Sequence, residues 1–108
     1  MENQSPFLAM QRVETHIKAL LRGIDTDLLT ADEKKAAASL RRLSVDARLD
    51  IRDYELSETR SEQLKKAEEA RKRLAKLKAS LLAVGNMFSP ADIAQVDAQL
   101  EHIKSRLQ

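Results

Sequence analysis

The 108-residue sequence has no cysteine, two glycines, two prolines and three aromatic residues. The missing cysteine excludes disulfides and thiolate metal sites, and it fits a reducing compartment. With so few turn-forming residues, a β-rich fold is disfavoured. No apolar run approaches the roughly 20 residues of a membrane-spanning helix, and the N-terminal MENQSPF lacks the features of a signal peptide. We therefore expect a cytoplasmic protein without a membrane association.

Charge is abundant but unevenly distributed. Charged residues make up 33% of the sequence, yet the net charge is only +2. Residues 44–63 carry six acids and three bases, whereas residues 65–78 carry seven bases and two acids. Such an asymmetry can guide a charged partner, or it can pair neighbouring helices within the fold. Length and composition together predict a single all-α domain over residues 1–108.

Apolar residues recur at alternating spacings of three and four in four segments, a pattern typical of helices that pack along one face. The predicted helices span residues 6–23, 31–57, 60–84 and 90–107. Short connections between them predict an antiparallel up-and-down four-helix bundle.

Capping signals support these helix limits. Ser5 and Ser89 each precede a proline, which is favoured at the first helical position. Thr30 and Glu33 have the spacing of a capping box. At the end of the third helix, Gly85-Asn86 tolerates a left-handed cap.

The boundary between the second and third helices is ambiguous in sequence, because residues 57–62 contain no glycine or proline. If one helix continued, its two main apolar rows would lie roughly 160° apart, which favours a break. A second row through Val45, Leu49, Leu56 and Ala67 runs almost in register, and it would suit a coiled-coil arm of about 50 residues. Because polar residues interrupt that row, we predict the break.

The second predicted helix carries an apolar row nearly opposite its main one. Its apolar members are interleaved with arginines, and the whole row consists of Arg41, Val45, Arg48, Leu49, Arg52 and Leu56. A helix at the rim of a monomeric bundle buries one stripe only, so two stripes indicate a central position or a contact with another chain. Single exposed apolar side chains are also normal on protein surfaces. We predict a protein interface here, as in a homo-oligomer.

The third predicted helix carries the strongest charge signal. Its basic residues are Lys65, Lys66, Arg71, Lys72, Arg73, Lys76 and Lys78. They predict contacts to nucleic-acid phosphates, which give salt-dependent affinity without sequence readout. No aromatic residues are interleaved to stack unpaired bases. The alternative is a solvated face in which Glu68 and Glu69 pair with the bases four residues further on.

Motifs that would carry chemistry are scarce. The two histidines, His16 and His102, each flank an apolar row without a matching acid nearby, and no spacing typical of di-metal bundles occurs. With only Gly23 and Gly85 available, there is no glycine-rich phosphate loop. We therefore expect no enzyme activity, no metal, no cofactor and no small-molecule substrate.

The run RSEQLKKAEEARKRLAKLKASLL, a short turn and SPADIAQVDAQLEHIKSRL resemble the last two helices of the 23S rRNA intervening-sequence protein family. That family includes the accessory variability determinants of diversity-generating retroelements. The resemblance implies four up-and-down helices, no active site, often a pentameric ring, and binding to a reverse transcriptase and to structured RNA or DNA. The sequence departs from the family in its few aromatics and in an acidic patch over residues 46–58.

Two functions follow as predictions. The first is a non-enzymatic accessory that self-associates and presents its basic face to RNA or DNA, alongside a partner enzyme such as a reverse transcriptase. The alternative is a protein-only module, a homo-oligomeric or coiled-coil regulator or scaffold, with no nucleic-acid role.

Overall fold

Four α-helices form where the apolar periodicity predicts them. In the computed structural model they are Pro6–Arg22 (α1), Ala31–Leu56 (α2), Arg60–Ala83 (α3) and Pro90–Ser105 (α4). Short 3₁₀ turns over Thr26–Leu28 and Gly85–Met87 join α1 to α2 and α3 to α4. The structure describes residues 5–107 and has no strand among them, which confirms the predicted all-α four-helix fold. Residues 1–4 lie outside this range, so the prediction that the N-terminal MENQSPF is not a signal peptide falls partly outside the described residues.

Side-chain caps fix the helix starts. The hydroxyls of Ser5, Thr59 and Ser89 each accept a hydrogen bond from the amide three residues on, at 3.2, 3.1 and 3.1 Å. Thr30 and Glu33 form the predicted capping box, with the Glu33 amide 3.1 Å from the hydroxyl and the Thr30 amide 2.9 Å from the carboxylate. The hydrogen bond from the Thr30 amide holds the pKa of Glu33 below its ordinary value.

The break between α2 and α3 is confirmed. Ser57 is extended, with φ −63° and ψ 135°, and its hydroxyl donates to the Asp53 carbonyl at 2.8 Å. Thr59 is also extended, with φ −117° and ψ 154°, before it caps α3. Hydroxyl side chains that bond to the nearby backbone compete with helix continuation, so a long coiled-coil arm does not form.

Helices adjacent in sequence are also adjacent in space. α2 packs against α1 and α3, and α4 packs against α3 and α1. The Cα trace measures 47 × 30 × 16 Å, so the bundle is flattened. α2 and α3 are the longer helices, with 26 and 24 residues, against 17 for α1 and 16 for α4.

The predicted apolar rows meet in one core. The main rows of α2 and α3 are buried at Leu40, Ala47, Ile51, Tyr54, Ala67, Ala70, Leu74, Leu77 and Leu81. The shorter helices contribute Met10, Val13, Ile17 and Leu21 from α1 and Val96, Leu100 and Ile103 from α4. This arrangement leaves the remaining faces of each helix for charged and polar side chains.

The left-handed cap predicted at Gly85-Asn86 is wrong. No residue from 5 to 107 has a positive φ. Instead the chain passes from α3 directly into the 3₁₀ turn, where the Met87 amide donates to the Val84 carbonyl at 2.9 Å. A 3₁₀ turn satisfies terminal carbonyls of the helix without a left-handed residue.

Candidate nucleic-acid interface

Arg73 lies between α3 and α2 rather than on an outer surface. Its Nε is 3.0 Å from the Asp50 carboxylate, and its Nη1 is 3.3 Å from the Asp46 carboxylate. The acidic segment of α2 therefore neutralises this member of the predicted basic face. Both partners are partly exposed, so the contact orients the two helices more than it stabilises them.

Two further cations of α3 contact α4. The Lys78 Nζ is 3.0 Å from Asp97 and 3.7 Å from Glu101. The hydrogen bond and charge of Asp97 raise the pKa of Lys78 above its ordinary value. Arg71 donates to the carbonyl of Leu107, two residues beyond the end of α4. Both side chains thus join α3 to its neighbour.

The remaining cations of α3 stay on its own surface. Lys66 is 3.4 Å from Glu69 and Lys72 is 3.9 Å from Glu68, contacts within one helix. Lys65 and Lys76 are exposed, and neither makes an ion pair with any residue from 5 to 107. Four of the seven predicted residues therefore lie on the surface of α3, where they share it with carboxylates, and two of these, Lys65 and Lys76, form no ion pair among residues 5–107.

The second row of α2 also has some members inside the bundle and others on its surface. Val45 and Leu49 are half-buried within the bundle, whereas Leu56 is 69% exposed. Arg48 turns toward α1, where its Nε lies 2.6 Å from a carboxylate oxygen of Glu14. Glu14 is buried at 7% exposure and also binds Lys18 Nζ at 2.9 Å. One arginine of the predicted interface therefore belongs to the α1–α2 contact.

A cleft between α1 and α2 brings together cations that the sequence did not connect. Lys18 and Arg22 of α1 and Arg41 of α2 line its volume of about 360 Å³. The signal in the sequence was the spacing of four between Lys18 and Arg22, which places both beside the apolar row of α1. The sequence alone does not reveal which helix packs beside Lys18 and Arg22, so neither was predicted as a site residue.

Elsewhere the structure offers little coordination chemistry. His16 is half-buried on α1, and His102 is exposed beside a groove of about 260 Å³ between α4 and α1. Among residues 5–107, no three His, Asp or Glu side chains converge as metal ligands would. In the same range, no helix has the length and apolar character needed to cross a membrane.

Comparison with family models, curated proteins and solved structures gave no match. The resemblance to the intervening-sequence protein family therefore remains a prediction.

Proposed function

We propose that this protein is a non-enzymatic helical-bundle accessory that binds the phosphate backbone of nucleic acid through surface cations. The observation that supports the proposal is the division of cations between two roles. Arg73 and Lys78 join helices, whereas Arg41, Lys65 and Lys76 are exposed and form no ion pair among residues 5–107. Cations left free in this way are available to replace the counterions of a polyanion.

The few aromatic residues favour a double-stranded partner. Tyr54 is buried, and Phe7 and Phe88 are half-buried against the core. Stacking of unpaired bases requires exposed aromatic rings, so contacts to phosphates are the mode that this surface supports. We expect little sequence preference, because phosphate contacts carry no direct sequence information.

A partner enzyme belongs to this proposal through the resemblance of α3 and α4 to the intervening-sequence protein family. An accessory of this kind would hold structured RNA or DNA near an enzyme such as a reverse transcriptase. Co-purification of such an enzyme with the tagged protein, resistant to nuclease treatment, would support a direct contact between the two proteins. Its loss after nuclease treatment would indicate a nucleic-acid bridge instead.

The proposal is tested by fluorescence anisotropy with labelled RNA and DNA duplexes of the same sequence. The logarithm of the affinity should fall linearly with the logarithm of salt concentration, by a slope of about 0.9 for each phosphate neutralised. The triple variant Arg41→Gln, Lys65→Gln, Lys76→Gln should bind more weakly and show a shallower slope. Leu82→Gln, which changes an exposed uncharged residue, is the control. Absence of wild-type binding at low salt contradicts the proposal.

A second candidate is a protein-only module that self-associates through the α2–α3 turn. Leu56 and Leu64, on either side of this turn, are 69% and 47% exposed. If they meet another copy, Leu56→Asp should convert an oligomer to a monomer in light scattering while the helical signal is kept. Leu28→Asp, at an equally exposed position beyond α1 (75%), is the control. A monomeric wild type would contradict this candidate.

A further inference from the structure

We infer that the cleft lined by Lys18, Arg22 and Arg41 is a binding site for a phosphate group. The cleft lies between α1 and α2, away from the basic run of α3, and all three of its lining residues are cations. Two of these residues, Lys18 and Arg22, belong neither to the predicted basic face of α3 nor to the predicted protein interface of α2.

The cations converge for geometric reasons. Lys18 and Arg22 are one helical turn apart on α1, so their side chains project from the same side of the helix. Arg41 lines the same cleft from α2. Because the Lys18 charge is paired with Glu14, the unpaired positive charge of the cleft among residues 5–107 comes from Arg22 and Arg41, and an anion bound there is attracted to both.

The nearest acid does not neutralise the cleft. Glu14 is buried, and its carboxylate already accepts from Arg48 at 2.6 Å and from Lys18 at 2.9 Å. One carboxylate therefore serves two cations and is itself held in place by them. Arg22 and Arg41 form no ion pair among residues 5–107, so the charge of the cleft is left for a ligand.

Helix electrostatics explain only part of this cluster. Arg22 is in the last turn of α1, where a cation is stabilised by the negative end of the helix dipole. Arg41 is in the middle of α2 and gains nothing from a helix terminus. Because Arg41 lines the same cleft as Arg22 without stabilising a helix end, the cluster is more than a helix terminus with a favourable charge.

The donors of the cleft match phosphate. The Arg22 Nε donates to the Lys18 carbonyl at 3.5 Å, and among residues 5–107 no other partner of its guanidinium is seen. Two guanidinium groups and an ammonium can donate to several oxygens of a tetrahedral anion at once. No aromatic ring is among the described residues that line the cleft, so the site recognises the phosphate and not a base.

The cleft continues along α2 as a row of arginines. Arg41, Arg48 and Arg52 lie within about 40° of one another around the helix. A nucleic-acid backbone that extends from the cleft along this row would meet Arg52, which is 52% exposed and 3.5 Å from Asp53, whereas Arg48 is paired with Glu14. This extension depends on the proposed function, whereas a free phosphate could occupy the cleft without it.

The test compares two double variants with the same loss of charge. Arg22→Gln, Arg41→Gln removes the exposed cations of the cleft, and Lys65→Gln, Lys76→Gln removes exposed cations of α3. Far-UV circular dichroism should show an unchanged helical signal in both. Each protein is then titrated with an RNA duplex by anisotropy and with inorganic phosphate by ¹H–¹⁵N NMR.

We expect the cleft variant to lose roughly a hundredfold in duplex affinity at about 50 mM salt, because two phosphate contacts are removed. The α3 variant should lose much less. Inorganic phosphate should shift amide signals of residues 18–22 and 41 in the wild type and in the α3 variant, but not in the cleft variant.

The failures can be told apart. If the duplex binds the wild type and the cleft variant equally, or if both variants weaken equally, the cleft is not the site and the proposed function stands. If only inorganic phosphate binds, and it binds in the cleft, the site is a free-phosphate site and the nucleic-acid function fails. If neither probe binds, both are overturned.

Discussion

The two long helices and the two short helices of the bundle differ in how much charge they carry. In α2, 12 of 26 residues are charged, and in α3, 11 of 24 are charged. The corresponding numbers are four of 17 in α1 and four of 16 in α4. The two long helices form a helical hairpin, which we call the hairpin. Its helices contact each other through an apolar seam and through ionic contacts such as Arg73 to Asp46 and Asp50. The short helices carry fewer charges, and each adds an ionic contact to its apolar row, Glu14 to Arg48 for α1 and Asp97 to Lys78 for α4.

The residues at the two kinds of contact also differ in size. The seam of the hairpin includes Ala47, Ala67 and Ala70, all fully buried. Small side chains allow two helix axes to approach closely. α1 contributes larger buried side chains, such as Met10 and Ile17. The hairpin of α2 and α3 is therefore the framework of the bundle, and α1 and α4 cover its apolar face.

The largest effect is expected when the shared core loses volume. Leu77 is fully buried in α3, so Leu77→Ala should destabilise the protein by about 2–5 kcal/mol through lost apolar burial and a cavity. Leu82→Ala, on the same helix at 59% exposure, is the matched control and should change stability little. Urea denaturation measures both. Equal effects would mean that α3 does not face the core at Leu77.

Overpacking of the hairpin is expected to cost somewhat less. Ala47 is fully buried in α2, so Ala47→Leu should destabilise the protein by about 1–3 kcal/mol, because the added carbons force neighbouring side chains apart. Ala75→Leu, at an exposed position of α3, should be nearly neutral. A stable Ala47→Leu variant would contradict the close approach of the two long helices.

The ionic contact between α1 and α2 should contribute less again. Glu14→Gln keeps the shape of the side chain but leaves Arg48, which is only 27% exposed, without its carboxylate. We expect a loss of about 1–2 kcal/mol in thermal or chemical unfolding. Glu68→Gln removes an exposed carboxylate that is 3.9 Å from its partner, and it should have no measurable effect. A neutral Glu14→Gln would show that the Glu14–Arg48 contact is not needed to attach α1.

The smallest effect concerns the contact of α4 at high pH. Because the folded pKa of Lys78 is raised above 10.5, its stabilising contribution is complete below that value and is lost as pH rises through the folded pKa. The Lys78→Met variant should therefore lose less stability than the wild type over this range. Lys76→Met, which removes a lysine that forms no ion pair within residues 5–107, should follow the wild type. Urea unfolding at neutral and alkaline pH tests the difference.

Much of the fold could be predicted because its signals are local. The serine, threonine and proline residues at the helix starts act within one turn, and the apolar rows report which face of each helix is buried. The break at residues 57–59 was predictable from the mismatch in phase between two rows. The 3₁₀ turn after α3 was not, because Gly85 permits several backbone conformations and the packing of the next helix selects among them.

The candidate site was less predictable, because charge alone does not reveal its partner. The sequence marked Arg73 and Lys78 as parts of a basic face, but each meets carboxylates on another helix. Conversely, Lys18 and Arg22 belonged to no predicted set, yet they share a cleft with Arg41. A helical side chain has a defined direction only relative to its own axis.

The sequence by itself determined the helices, their limits and their buried faces, since these depend on interactions within a few residues of chain. Only the tertiary structure decided which helices are neighbours, and therefore which cations are neutralised and which are left exposed. The physical reason is that electrostatic interactions depend on distance in space, and residues such as Glu14 and Arg48, 34 positions apart, become neighbours only when the bundle forms.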